Sequence, residues 1–191
     1  VLRKLNGIAQ RKLSALDEVY SVFGATMSTK GIRLTINSDA VTSPDVIGDE
    51  ISLRKILNNL LSNANKFTRS GGRVTIFASQ KQMNEKSSIL HLEVADTGVG
   101  ISEEFIGHLF EPYTQEMSEN GGRAAGSGLG MAICKSMIDL QGGSISVRSR
   151  LGEGTTFYVD IPYSLGKAAV KKTEAVDCSA ISGRRIMVVD D

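Results

Sequence analysis

The chain has 191 residues, with 22 Lys and Arg against 21 Asp and Glu, a formal net charge of +1 and a pI near 7.9. That length predicts one domain, or one domain with a tail, and the balanced charge excludes a general electrostatic pull onto nucleic acid or an acidic membrane. Hydrophobic residues make up 41% and aromatics 5%, with no Trp, which fits a globular core and argues against an aromatic platform for single strands.

No apolar run approaches the roughly 18 residues of a membrane span, and Val1–Gln10 lacks a signal-peptide pattern. Cys134 and Cys178 form no CxxC pair, so two free thiols in a reducing compartment are predicted and a thiolate zinc site is excluded by ligand count. The chain opens on Val and closes on Asp-Asp, and reads as a piece of something longer.

Ile8 to about Ser28 carries Leu13, Leu16, Tyr20, Phe23 and Met27 at helical spacing, with Gly31 as a left-handed C-terminal residue. Ile32, Leu34 and Ile36 alternate as a strand, and Thr42–Asp45 is a loop. Asp49 can cap the strongest helix, in which Leu53, Ile56, Leu57, Leu60, Leu61 and Ala64 fall at i, i+3, i+4, i+7, i+8 and i+11. Ser70-Gly71-Gly72 stops it. Val74, Ile76 and Ala78 then alternate, as do Leu90, Leu92 and Val94 after a polar loop from Gln82 to Ser88, predicting neighbouring antiparallel strands. A glycine turn at Asp96–Gly100 precedes a short helix over Ser102–His108. Thr114–Gly126 has loop composition, and Leu129, Ile133, Met137 and Leu140 mark another helix. Two strands, Ile145/Val147 and Phe157/Val159/Ile161, finish the core. The order predicts an α/β two-layer sandwich, a mixed and mostly antiparallel sheet with helices on one face.

Four stretches carry chemistry. On the helix from Asp49 to Phe67, Asn59, Asn63 and Lys66 form a second stripe beside the apolar one. An amide oxygen suits a hard cation and Lys suits phosphate, although a solvated polar face has the same pattern. Asp96-Thr97-Gly98-Val99-Gly100-Ile101 lets backbone approach a planar ligand, with a carboxylate for an exocyclic amine; a plain turn reads the same way. Gly126-Ser127-Gly128-Leu129-Gly130-Met131 opens a helix, where free N–H groups favour an anion. It follows no strand and lacks Gly-Lys-Ser/Thr, so it is neither a dinucleotide fingerprint nor a P-loop. Gly152–Phe157 alone is a turn between strands.

Together these motifs resemble the ATP-binding catalytic domain of sensor histidine kinases, in the superfamily shared with DNA gyrase, a mismatch-repair ATPase and a heat-shock chaperone. Asn59–Thr68 (NLLSNANKFT) resembles the N box, Asp96–Ile101 (DTGVGI) the first glycine box and Phe110–Tyr113 (FEPY) the F box. Gly126–Met131 (GSGLGM) and Gly152–Phe157 (GEGTTF) resemble the second and third glycine boxes. The resemblance covers about Ala9 to Tyr163 and implies the Bergerat-type ATP-binding fold.

It further implies ATP and Mg²⁺ as cofactors. Asn63 matches the Mg²⁺ ligand and Lys66 a phosphate contact; with Asn59 they form the catalytic set. Asp96 matches the acid that reads the adenine amino group, with Gly98 and Gly100 on the pocket floor and Ile101 against the base. Phe110 would anchor a lid over Thr114–Ala125, whose Arg123 is placed to reach phosphate. Gly126, Gly128, Leu129 and Gly130 would bring N–H groups to phosphate. Thr155, with Thr156 beside it, would support Asp96.

The superfamily's ATPases carry a Glu one turn before the metal-binding Asn, and here that position is Asn59. A carboxamide takes no proton at neutral pH, so water attack lacks its base and phosphoryl positioning is the chemistry left. Many kinases of the family hold other residues there, so Asn59 argues against hydrolysis more than for one acceptor. His91 and His108 lack the phosphoacceptor box that the family would show, so both are predicted as structural residues. The acceptor His is expected on an upstream dimerisation domain, with residues 1–7 as its remnant, 8–163 as the catalytic domain and 164–183 as linker. Residues 184–191 (RRIMVVDD) resemble the first strand of a receiver domain, which implies a hybrid kinase and a strand able to pair with a free sheet edge. This piece is expected to be monomeric and cytoplasmic, without nucleic acid or membrane contact, whatever anchors its parent. The competing readings are a non-kinase ATPase of the superfamily, a degenerate nucleotide-binding or docking module, and a serine-phosphorylating relative.

Overall fold

In a computed structural model of the chain, the described residues are 9–41, 46–115 and 127–165. They form α1 (Ala9–Thr29), β1 (Arg33–Ala40), β2 (Val46–Ile47), α2 (Glu50–Phe67), β3 (Arg73–Asn84), β4 (Ser87–Asp96), α3 (Glu103–Ile106), α4 (Gly130–Leu140), β5 (Ser144–Arg150) and β6 (Gly154–Leu165).

The six strands make one mixed sheet. β1 runs parallel to β3, and every other pairing is antiparallel. Strand β6 is the hub: β4 lies along one edge, while β5 and the two-residue β2 share the other. Alternation along the strands sends Val74, Ile76, Ala78, Leu90, Leu92, Val94, Phe157, Val159 and Ile161 into one core with the helices. The two-layer architecture and its mixed, mainly antiparallel sheet agree with the sequence pattern.

Helix α2 sits in that core because its sequence leaves no alternative. Leu53, Ile56, Leu57, Leu60, Leu61 and Ala64 are all buried, each of the five larger side chains contributing roughly 2 kcal/mol of burial. Asp49 caps it, accepting from the Ser52 amide at 3.0 Å and the Ser52 hydroxyl at 2.6 Å. At the other end Lys30 Nζ donates to the carbonyls of Asn65 and Lys66, placing positive charge where the helix dipole is negative. Gly31 takes φ 74° after α1, and Ile32 N donates to Met27 O at 2.8 Å in a Schellman closure.

Several expectations shift. Tyr20 does not belong to the inner stripe of α1: it is 50% exposed, and Val19, one residue earlier, is buried in its place with Leu16 and Met27. On α4 the buried set is Met131, Cys134 and Ile138, while Ile133 and Leu140 face outward at 42% and 85% exposure. A helix with apolar residues on more than one face cannot reveal from spacing which face meets the sheet. The polar stretch Gln82–Ser88 is mostly strand: β3 and β4 continue to a turn at residues 85 and 86, with Gln82 opposite Ser88. Those residues are polar because β3 there runs out into solvent. α3 is shorter than the Ser102–His108 span, and His108 lies beyond it, beside Glu111 at 3.1 Å. Ser164 and Leu165 pair with β2 as the end of β6 instead of starting a linker. Residues 1–8, the rest of the linker, Cys178 and the receiver-like segment fall outside the described residues, and the strand-pairing expectation falls there with them.

Candidate functional site

The polar stripe of α2 faces the start of α4. Asn63 Nδ2 donates to Met131 Sδ at 3.3 Å, which leaves the carboxamide oxygen as its acceptor end. Asn59 Nδ2 donates to Lys55 O at 3.2 Å, and a Cβ on Gly130 would stand 2.9 Å from Asn59 Oδ1. Gly130 therefore lets the first turn of α4 approach α2. The Cys134 thiol lies under this contact, pushed up to about 11 by burial against the opposing pull of its Asn59 hydrogen bond; a thiol so placed stays protonated and inert. Lys66 stands one turn along, its Nζ 4.6 Å from the Phe67 ring centroid, and burial lowers its pKa.

Strand β4 delivers Asp96 to the same end of the sheet. Its register partner on β6 is Thr155, and both face the helical layer, Thr155 at 7% exposure. Burial raises the pKa of Asp96, while hydrogen bonds from the Gly98 and Thr155 amides oppose the rise; the Gly98 bond measures 2.7 Å. Gly98 is packed so closely that a Cβ would fall 2.8 Å from Phe67 O, the last turn of α2. Gly100, at φ 75°, would put a Cβ 2.0 Å from Arg150 O. The glycine turn is thus sandwiched between α2 and the β5–β6 turn, with Gly152 N donating to Val99 O at 2.8 Å.

The entry to α4 completes the arrangement. Leu129 is its N-cap and supplies no side-chain acceptor, its own amide donating to Ser127 Oγ at 3.3 Å; the amides of a first helical turn are the groups an anion takes. Gly128 takes φ 70°, and its carbonyl accepts from Tyr113 N at 3.1 Å. That bond ties the FEPY segment to the start of α4, while Phe110 packs against the core. Ile101 packs there too, beside the turn.

The structure therefore brings Asn59, Asn63, Lys66, Asp96, Gly98, Gly100, Ile101, Phe110, Gly128, Leu129, Gly130 and Thr155 to one end of the sheet. Thr156 is not among them: strand alternation turns it to the opposite face, opposite Ala95. Arg123, Gly126 and the loop from 116 to 126 lie outside the described residues. His91 is a structural residue on that opposite face, held by Asp160 Oδ1 at 2.6 Å and Glu93 Oε1 at 3.2 Å.

One site residue went unread. Ser149 Oγ accepts from Ile101 N at 2.9 Å, donates to Gly154 O at 2.8 Å and lies 2.8 Å from Thr155 Oγ1. The signal was present, since Ser149 continues the inward alternation of Ile145 and Val147 into the third glycine motif.

The geometry defines a class: a sheet-and-helix layer with a buried acid on a glycine turn and an uncapped helix start opposite an Asn-bearing helix. The family described as histidine kinase-, DNA gyrase B-, and HSP90-like ATPase matches residues 48–165, and the chain belongs to it. An autoinducer 2 sensor kinase/phosphatase, LuxQ of Vibrio vulnificus, is 35% identical over 158 residues, covering 83% of this chain and 18% of its own. The chain thus spans about a fifth of the length of the curated relatives it matches. Full-length ShkA, crystallised with AMPPNP, superposes with a TM-score of 0.69 at 28% identity, over 85% of this chain and 31% of that one. The catalytic domain of the histidine kinase ThkA, nucleotide-free, gives 0.64 at 26% identity, over 80% and 94%. The fold is that of a histidine kinase ATP-binding catalytic domain.

Proposed function

We propose that this domain binds Mg-ATP and positions its γ-phosphoryl group for transfer to a histidine on a separate dimerisation domain. The observation that carries the reading is the Asp96–Thr155 pair. A desolvated carboxylate, held by two amides on a turn that only glycine can build, offers acceptors to an exocyclic amine and little to an acceptor group.

The donor set fits the rest of the nucleotide. The carboxamide oxygen of Asn63 suits a hard cation, which would take its remaining ligands from phosphate and water. The uncapped amides at the start of α4 and the ammonium of Lys66 suit phosphate oxygens. When bound, the metal supplies charge neutralisation at the β- and γ-phosphates. The residues of this chain orient the base, hold the phosphates and exclude water around them. Asn59 cannot take a proton from water at neutral pH, which supports transfer over hydrolysis.

We further propose that the parent is a hybrid kinase, with residues 1–7 trailing from the phosphoacceptor domain and 184–191 opening a receiver domain. Calorimetric titration with a non-hydrolysable ATP analogue, with and without Mg²⁺, tests the site. Saturable binding lost in Asp96→Asn supports it, and a folded wild-type domain that binds nothing overturns it. Phosphoryl transfer to a supplied dimerisation domain, without hydrolysis in its absence, separates kinase from ATPase.

A further inference from the structure

We infer that Ser149 is a positioning residue that sets which base the pocket accepts, by fixing the direction of the Thr155 hydroxyl; the inference rests on the nucleotide reading above. A serine hydroxyl has one hydrogen and two lone pairs. The Ile101 amide at 2.9 Å can only donate to it, and the Gly154 carbonyl at 2.8 Å can only accept from it. The single Ser149 hydrogen is then committed to Gly154. The 2.8 Å contact between Ser149 Oγ and Thr155 Oγ1 must draw its hydrogen from Thr155. All three bonds form at once only in this arrangement, and it saturates Ser149.

The consequence falls on the other side of Thr155. Its hydrogen points to Ser149, so the Thr155 oxygen has only lone pairs left to offer, beside Asp96, its register partner. The two groups together present acceptors only. A ring with an amine at the corresponding position donates to both, whereas a ring with a carbonyl there meets lone pairs with lone pairs. Ser149 also joins the Ile101 backbone to the hairpin that carries Thr155, so one hydroxyl ties the two together.

The test compares binding of ATP and of purine riboside triphosphate, which lacks only the ring amine and keeps the same ring nitrogens, to wild type, Ser149→Ala and Ser149→Thr. Ser149→Ala frees the Thr155 hydroxyl to rotate and donate. The ratio of the two affinities should fall by about tenfold, the loss of one oriented hydrogen bond, and Ser149→Thr should restore it. A wild type that binds neither nucleotide overturns the nucleotide reading itself. A wild type that prefers ATP, with a ratio unchanged in Ser149→Ala, overturns the role of Ser149 and leaves the site standing. If Ser149→Ala does not fold, Thr155→Val removes the acceptor while sparing the Ser149 bonds to Ile101 and Gly154. An unchanged ratio there also overturns the inference.

Discussion

The carbonyl oxygen of Asp96 occupies the space where a side chain on Gly154 would begin: a Cβ there would lie 2.0 Å from it. Gly154 also has φ +117°, a conformation that L-residues rarely adopt. The third glycine motif is therefore bare so that β6 can close on the end of β4. Gly154→Ala should lower stability by about 2–4 kcal/mol, combining backbone strain with overpacking. Denaturant unfolding measures it, and a loss below about 0.5 kcal/mol would show that the hairpin gives way easily.

Asp96→Asn separates stability from function. Burial raises the pKa of this acid, so the folded state holds its proton more tightly than the unfolded chain. Its stabilising contribution is present below the ordinary value of 3.8 and is lost as pH rises through the raised folded value. At neutral pH the charge is a cost to the fold. Asp96→Asn should melt at or above the wild-type temperature while losing at least about tenfold in adenine-nucleotide affinity. In wild type, affinity should fall on acidification at a pH above the usual carboxylate range. A variant both less stable and equally good at binding would contradict this account.

Asn63→Ala removes the one carboxamide oxygen whose partner amide is already committed to Met131. Binding measured without Mg²⁺ should change little, and the increment that Mg²⁺ adds should shrink by about tenfold. Titrations at matched ionic strength distinguish the two. Equal losses with and without metal would assign Asn63 to the fold instead.

His91 titrates on the far face of the sheet. Burial pulls its pKa down, but the hydrogen bonds and charges of Asp160 and Glu93 outweigh that, and the net shift is upward from 6.5. The stabilisation is complete below the unfolded value and is lost as pH rises through the folded one. Thermal melts should show wild type losing stability relative to His91→Gln as pH rises past 6.5, by a small amount because the cluster is partly solvated. Parallel pH profiles would remove the cluster from the stability account.

Leu57→Ala tests the core that positions the site. Leu57 is fully buried on α2, between the polar stripe and the sheet. The truncation should cost about 2–5 kcal/mol and weaken nucleotide binding only through the folded fraction, as a titration corrected for unfolding would reveal.

By itself the sequence determined the strong elements and the motifs of the candidate site. α2 was legible because its apolar positions recur in one phase and a capping acid precedes them. The strands were legible from period-two alternation, and the site from short motifs whose residue types suit a base, a metal and phosphates. Only the tertiary structure decided which face of α1 and α4 is inner, because both carry apolar residues around more than one side and the sheet selects among them. Only it separated Thr155 from Thr156, neighbours in the chain that a strand sends to opposite faces. Only it found the tie through Ser149, because a hydrogen bond between β5 and the turn after β4 joins residues 48 positions apart. Spacing along a chain sets what a segment can bury; contact between distant segments sets what a buried group can do.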